Sequence, residues 1–147
     1  MTPALPDILM GQFIAIGAPL PPEAFGDYTA GRMGMLALLS VLAAQEAQRG
    51  IAVRVWENKT LRDLFARSAA DYDLRLDGRL DRAAGQGDAN LEWAALDAAN
   101  ADLRRLLIAL HEAVETCGDS LLDREILELY VHMAHQRRLE LPGALGG

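Results

Sequence analysis

Apolar residues recur along this chain mostly at the three- and four-residue spacing of a helix, and only one short stretch alternates as a strand would. Pro19, Pro21 and Pro22 break the chain ahead of Asp27, which suits a helix N-cap. The following AGRMGMLALLSVLAAQEAQ has no proline and mostly good helix formers. Its Gly31 and Gly34 strip side chains from one face and allow a neighbouring backbone to come close. After Gly50, IAVRVW alternates like a strand, yet Ile51, Val55, Leu61, Phe65, Ala69 and Tyr72 keep helical spacing, and a lone short strand would have no partner elsewhere. Helix is therefore expected, either bending at Gly50 or running on unbroken. It continues through LRDLFARSAADYDLRLDGRLDRAA, with Asp63 and Arg67 offering a solvent-side pair worth only ~0.2–0.5 kcal/mol.

AAGQGDAN is the clearest loop, and Asp88 or Asn90 can cap a helix running from about Leu91 to Cys117, where Gly118 ends it. Leu96, Leu103, Leu107, Leu110, Val114 and Cys117 fall in one stripe, the spacing of a core seam, so Cys117 is expected to be a small buried hydrophobe. Ser120 with Asp123 makes a weakened capping box for a last helix reaching about Leu139, with Pro142 beyond it. These two helices should pair as an antiparallel hairpin. The expected fold is all-α: an up-and-down four-helix bundle over residues 23–141, its first helix long and able to bend. An apolar arm (residues 1–22) precedes it and a flexible glycine-ended tail (142–147) follows.

Composition narrows the class. A chain of 147 residues has room for one compact core, and 51% hydrophobic with 24% charged residues disfavours disorder. A net charge of −7 argues against nucleic acid and anionic membranes, whose binding rests on clustered Lys and Arg. Residues 1–44 hold only four formal charges (Asp7, Glu23, Asp27 and Arg32), and the other 31 of 35 lie beyond them. Even so, the weakly polar run Met33–Ala44 is shorter than the ~18 residues that suggest a bilayer span, and the first 22 residues lack the basic start of an export signal. The single cysteine, Cys117, permits no intrachain disulfide and fits a reducing compartment. A cytoplasmic protein is expected. The basic residues, 13 of 14 of them Arg, match the codon bias of a GC-rich bacterial genome.

Candidate chemistry is sparse. His111 with Glu115, and Glu128 with His132, each stand four residues apart and could each chelate an ion, with Glu46 and Glu57 as further carboxylates from the first half. No Glu-x-x-His motif of a dinuclear carboxylate bundle occurs, and register about Gly118 puts His111 opposite residues 125–127 and His132 opposite 104–106, so the two pairs should not converge. In size and helical architecture the chain resembles histidine phosphotransfer domains, with His111 on a long helix. However, Val114 and Glu115 stand where those domains carry Lys and Gly, and Glu112 adjoins the ring. Nucleophile-elbow, P-loop and dinucleotide glycine motifs are absent.

Binding is better supported by the pattern than catalysis. On the last helix, Leu122, Ile126, Leu129 and Met133 form one apolar stripe, while Leu127, Val131 and Ala134 form a second on roughly the opposite side. Ile108 likewise points away from its own helix's seam. A patch of Ile108, Leu127 and Val131 would stay open unless the arm, through Ile8, Leu9 and Phe13, or a second molecule covers it. Trp56 and Trp93 are expected in the core. The sequence thus points to a non-enzymatic helical interaction protein without cofactor, binding a second copy of itself or a partner helix. The alternative is a bundle that binds metal through His111, Glu115, Glu46 and Glu57.

Overall fold

The computed structural model describes residues 5, 8–9, 11–12 and 27–140; Phe13 and the tail lie outside the described residues. The fold is an all-α bundle. From residue 27 onward it contains α1 (Asp27–Tyr72), α2 (Arg79–Ala84), α3 (Trp93–Cys117) and α4 (Ser120–Gln136), with a 3-10 turn, Asp73–Leu76, after α1. Among the described residues no strand forms, and no helix is long and apolar enough to cross a membrane.

α1 runs for 46 residues without a break at Gly50. IAVRVW is helical because the inward positions of this stretch repeat every three or four residues: Arg54, Glu57, Asn58, Leu61, Leu64, Phe65, Ser68 and Tyr72 are all buried. This seam is displaced from the apolar one expected. Ile51 is exposed and Val55 half-buried, while a cation, a carboxylate and an amide turn inward in their place. The anticipated Asp63–Arg67 pair does not form either; Asp63 takes Lys59 (2.5 Å) and Arg67 reaches Glu125 on α4 (2.5 Å).

α1 also stops short of the expected end at residue 84. Asp77 and Gly78 both adopt left-handed backbone (φ 54° and 70°), which turns the chain before α2. The Asp73 carboxylate stabilises that turn by accepting from the backbone N–H groups of Leu80 (2.8 Å) and Asp81 (3.4 Å). Glycine suits position 78 because its left-handed backbone carries no Cβ penalty there; an added Cβ would stand 3.0 Å from Nη1 at the far end of the flexible Arg82 side chain.

The chain divides into two compact units, residues 51–137 and residues 1–50 with 138–147. In the latter, Gln45 pairs both its amide groups with the backbone of Glu140 (2.7 and 2.8 Å), Arg49 donates to the Arg138 carbonyl (2.6 Å), and Gln12 donates to Ser40 (2.7 Å). Ile8, Ala43 and Glu46 are buried in this unit. In the former, Leu61, Leu64 and Phe65 of α1 share a core with Leu103, Leu106, Leu107, Leu110 and Val114 of α3 and Ile126 and Met133 of α4. Leu76 and Leu80 close it from the turn and α2.

α3 and α4 form the expected hairpin about Gly118, which caps α3 in the left-handed conformation (φ 71°). Cys117, the expected last member of the α3 seam, is instead exposed: it is the final residue of the helix, and Val114 is the last of the seam to be buried. The cap of α4 is Asp119 rather than the Ser120–Asp123 box: its carboxylate accepts from the Leu122 N–H and from the Tyr72 hydroxyl, each at 3.1 Å. Asp123 is thereby free to face α3.

Those two bonds, the Leu122 N–H first and the Tyr72 hydroxyl next, hold the Asp119 carboxyl below its ordinary range, while burial and then Asp119 push the Tyr72 hydroxyl up. A carboxyl with a depressed folded value contributes stability above its unfolded value, about 3.9, and that contribution is lost as pH falls through the folded value. Asparagine is an equally good cap without the titration. Asp119→Asn should therefore flatten the acid limb of stability below about pH 4, read from urea midpoints across pH. A loss that is the same at every pH would mean the carboxylate's charge contributes nothing.

Candidate functional site

Three polar or open features of the unit formed by residues 51–137 could carry function. The first is buried. Glu57 of α1 is fully buried, and Arg137, at the C-cap of α4, grips its carboxylate with Nε (2.7 Å) and Nη2 (2.5 Å). Asn100 of α3 completes the clamp, donating to Glu57 (2.8 Å) and accepting from Arg137 (2.6 Å). Its amide also donates to Asn58 (3.0 Å), whose own amide reaches Asp88 in the interhelical loop (2.9 Å) and the Leu96 carbonyl (3.4 Å). Arg62 holds Asp88 from the same face of α1 (2.8 Å). One connected set of side chains therefore joins three helices and a loop. Asp88, read from sequence as a possible cap for α3, is an anchor for that loop instead, and Asn90 accepts only from the Glu92 N–H (2.8 Å). Close by on the same two helices, Arg54 lies over the Trp93 ring (4.1 Å) and pairs with Asp97 (2.7 Å).

The second feature is the outer face of α4. Ile126 and Met133 are buried and Leu122 and Leu129 pack against the core, whereas Leu127, Val131 and Ala134 are exposed, the two-sided distribution expected. Leu127 is 49% and Val131 69% accessible, and they floor an open groove of about 550 Å³ rimmed by Arg124, Glu128, His132 and His135. Ile108 is exposed on α3 as expected, but it does not line this groove. Of the arm residues grouped with these, Ile8 is buried and offers no surface, while Leu9 is exposed. His132 sits against the half-buried Trp56 ring (4.8 Å between centroids), so that tryptophan belongs to the core's edge.

The third feature gathers part of the metal-ligand set. His111 of α3, largely buried, donates from Nε2 to Asp123 of α4 (2.9 Å), and Glu115, one turn along, lies 3.9 Å from the same nitrogen. Glu57 is not with them: it meets Asn100, eleven residues before His111, or roughly 16 Å along α3. Glu46 is buried in the other unit. His132 and Glu128 lie along the α4 groove, so the two histidine–glutamate pairs stay apart as the register implied.

Sequence reasoning overlooked Asp123 as a neighbour of His111 and Glu57, Asn58, Asn100 and Arg137 as a set. A signal existed for each. Asp123 lies within a turn of the position opposite His111, and Asn100 sits on the α3 seam between Leu96 and Leu103. Stepping the Leu61–Phe65 stripe back one turn lands on Glu57 and Asn58. Compared with known proteins, the chain matches no family model, no curated protein and no solved structure.

Removing one partner of a buried ion pair strands the other charge, at a cost of about 3–5 kcal/mol, whereas replacing both by apolar groups is often close to neutral. Arg137→Ala should therefore be strongly destabilising in urea unfolding, and Glu57→Leu combined with Arg137→Leu should recover most of that loss. Equal losses for the single and double variants would show that the clamp acts through packing alone.

Proposed function

We propose that this chain is a non-enzymatic interaction protein whose outer α4 face receives an apolar helix, in the first instance α4 of a second copy. The observation that supports this reading is the second apolar stripe, Leu127 and Val131, left exposed on a helix whose other side already fills the core. Two copies of α4 laid antiparallel about their middle would set Leu127 of each against Val131 of the other, so the stripe is complementary to itself, as a two-fold interface requires. Arg124, Glu128, His132 and His135 around it supply a polar rim. The acidic chain as a whole, at −7, keeps such a protein soluble while one apolar face stays open.

Size places the association in a class. A helix of 17 residues is roughly 25 Å long and about 10 Å wide. One such face falls well short of the ~800 Å² per partner of a stable complex. Self-association through α4 alone is thus weak and concentration-dependent. Sedimentation velocity over a concentration series should show a monomer–dimer equilibrium for the native chain. Val131→Glu and Leu127→Glu should shift it to monomer with helicity unchanged. A native chain that stays monomeric throughout, or a variant that unfolds, would overturn the reading, the latter by showing the stripe to be internal core.

A further inference from the structure

We infer that His111, Glu115 and Asp123 form a binding site for a divalent transition-metal ion of the zinc class at the α3–α4 hairpin. One atom from each, His111 Nε2 and a carboxylate oxygen of Glu115 and of Asp123, lies within 4.8 Å of the other two. Ligand atoms around a tetrahedral ion with bonds of ~2.0–2.1 Å stand roughly 3.3 Å apart. The distances from Nε2 to Asp123 and Glu115, 2.9 and 3.9 Å, bracket that spacing, so small side-chain rotations bring both into range. On binding, the ion takes the place of the Nε2 hydrogen now shared with Asp123, and the imidazole carries its hydrogen on Nδ1.

The setting favours a cation. The ligands stand on two helices whose neighbouring side chains, Leu110, Val114 and Ile126, are fully buried, and the Tyr130 ring lies against the imidazole (5.7 Å between centroids), so the nitrogen's position is fixed by packing. The last turn of α3 contains no basic residue, so no cation from that turn competes for the two carboxylates. Glu115 and Asp123 also line an open cleft of about 300 Å³ that continues past Val114, Gly118, Asp119 and Ser120. Two of the three ligands stand on this cleft, which leaves room for water at the remaining position, the pattern of an open zinc site. One imidazole with two carboxylates selects zinc, cobalt or manganese over magnesium and calcium, which prefer oxygen alone.

The test is calorimetric titration of the full chain with Zn²⁺, alongside the visible absorption of bound Co²⁺ as a report of coordination geometry. One ion per chain is expected, with a cobalt spectrum of low coordination number. Affinity should fall by about tenfold or more in Asp123→Asn, which keeps the residue's shape, and in His111→Ala. His135→Ala, on the α4 groove, should leave affinity unchanged. Absence of zinc binding to the native chain would overturn the inference, as would binding that survives Asp123→Asn. If His111→Ala proves unfolded, Asp123→Asn and the cobalt spectrum decide alone. Val131→Glu retains all three ligands, so this result stands apart from the fate of the α4 face.

Discussion

A fully buried carboxylate constrains this fold more tightly than any apolar contact. Glu57 lies inside the unit of residues 51–137, and its charge is tolerable only because Arg137 and Asn100 surround it. That requirement fixes which turn of α1 faces which turn of α3 and where the end of α4 must sit. Leucine-rich seams slide past one another at modest cost, since any apolar neighbour serves. A bidentate arginine–carboxylate pair has one geometry. The clamp therefore sets the register, and the leucines of α1 and α3 supply most of the cohesion around it.

The same network reaches the connection between α2 and α3. Asn58 and Arg62, neighbours of Glu57 on α1, both hold Asp88, so a glycine-rich loop that could wander is tied to the most tightly specified part of the core. At the opposite end of the α3–α4 hairpin, Asp119 plays a comparable part on a smaller scale, capping α4 while accepting from Tyr72 of α1. The polar ties thus stand at both ends of the hairpin, with the leucine core between them.

α4 carries two distinct surfaces on this scaffold. One side completes the core and, through Asp123, meets His111; the other leaves Leu127 and Val131 open. A helix fixed on one side by a clamp, a cap and a core is a rigid platform on the other, which limits the ordering cost of taking a partner. The proposed metal site lies near its N-terminal end and the apolar stripe further along, so the two can act without competing for the same side chains.

Much of this was legible in the order of residues. The helical class, the loop before α3, the hairpin at Gly118, the α3 leucine seam, the two-sided α4 and the pairing of His111 with Glu115 all follow from period, caps and glycines, which are local properties. What the sequence did not disclose is long-range. Hydrophobicity ranks Glu57 and Asn58 as surface residues and Ile51 as core, and the structure reverses both, because a buried polar group is acceptable when its partners arrive from elsewhere. Those partners are 42 and 80 residues away from Asn58 and Glu57, in Asn100 and Arg137. Cys117 reads as one more seam position, yet it stands exposed as the last residue of α3, where Gly118 turns the chain. The sequence by itself determined which segments are helices and where they turn. The tertiary structure alone decided which polar groups could be buried, since that depends on partners brought together only when the chain has folded.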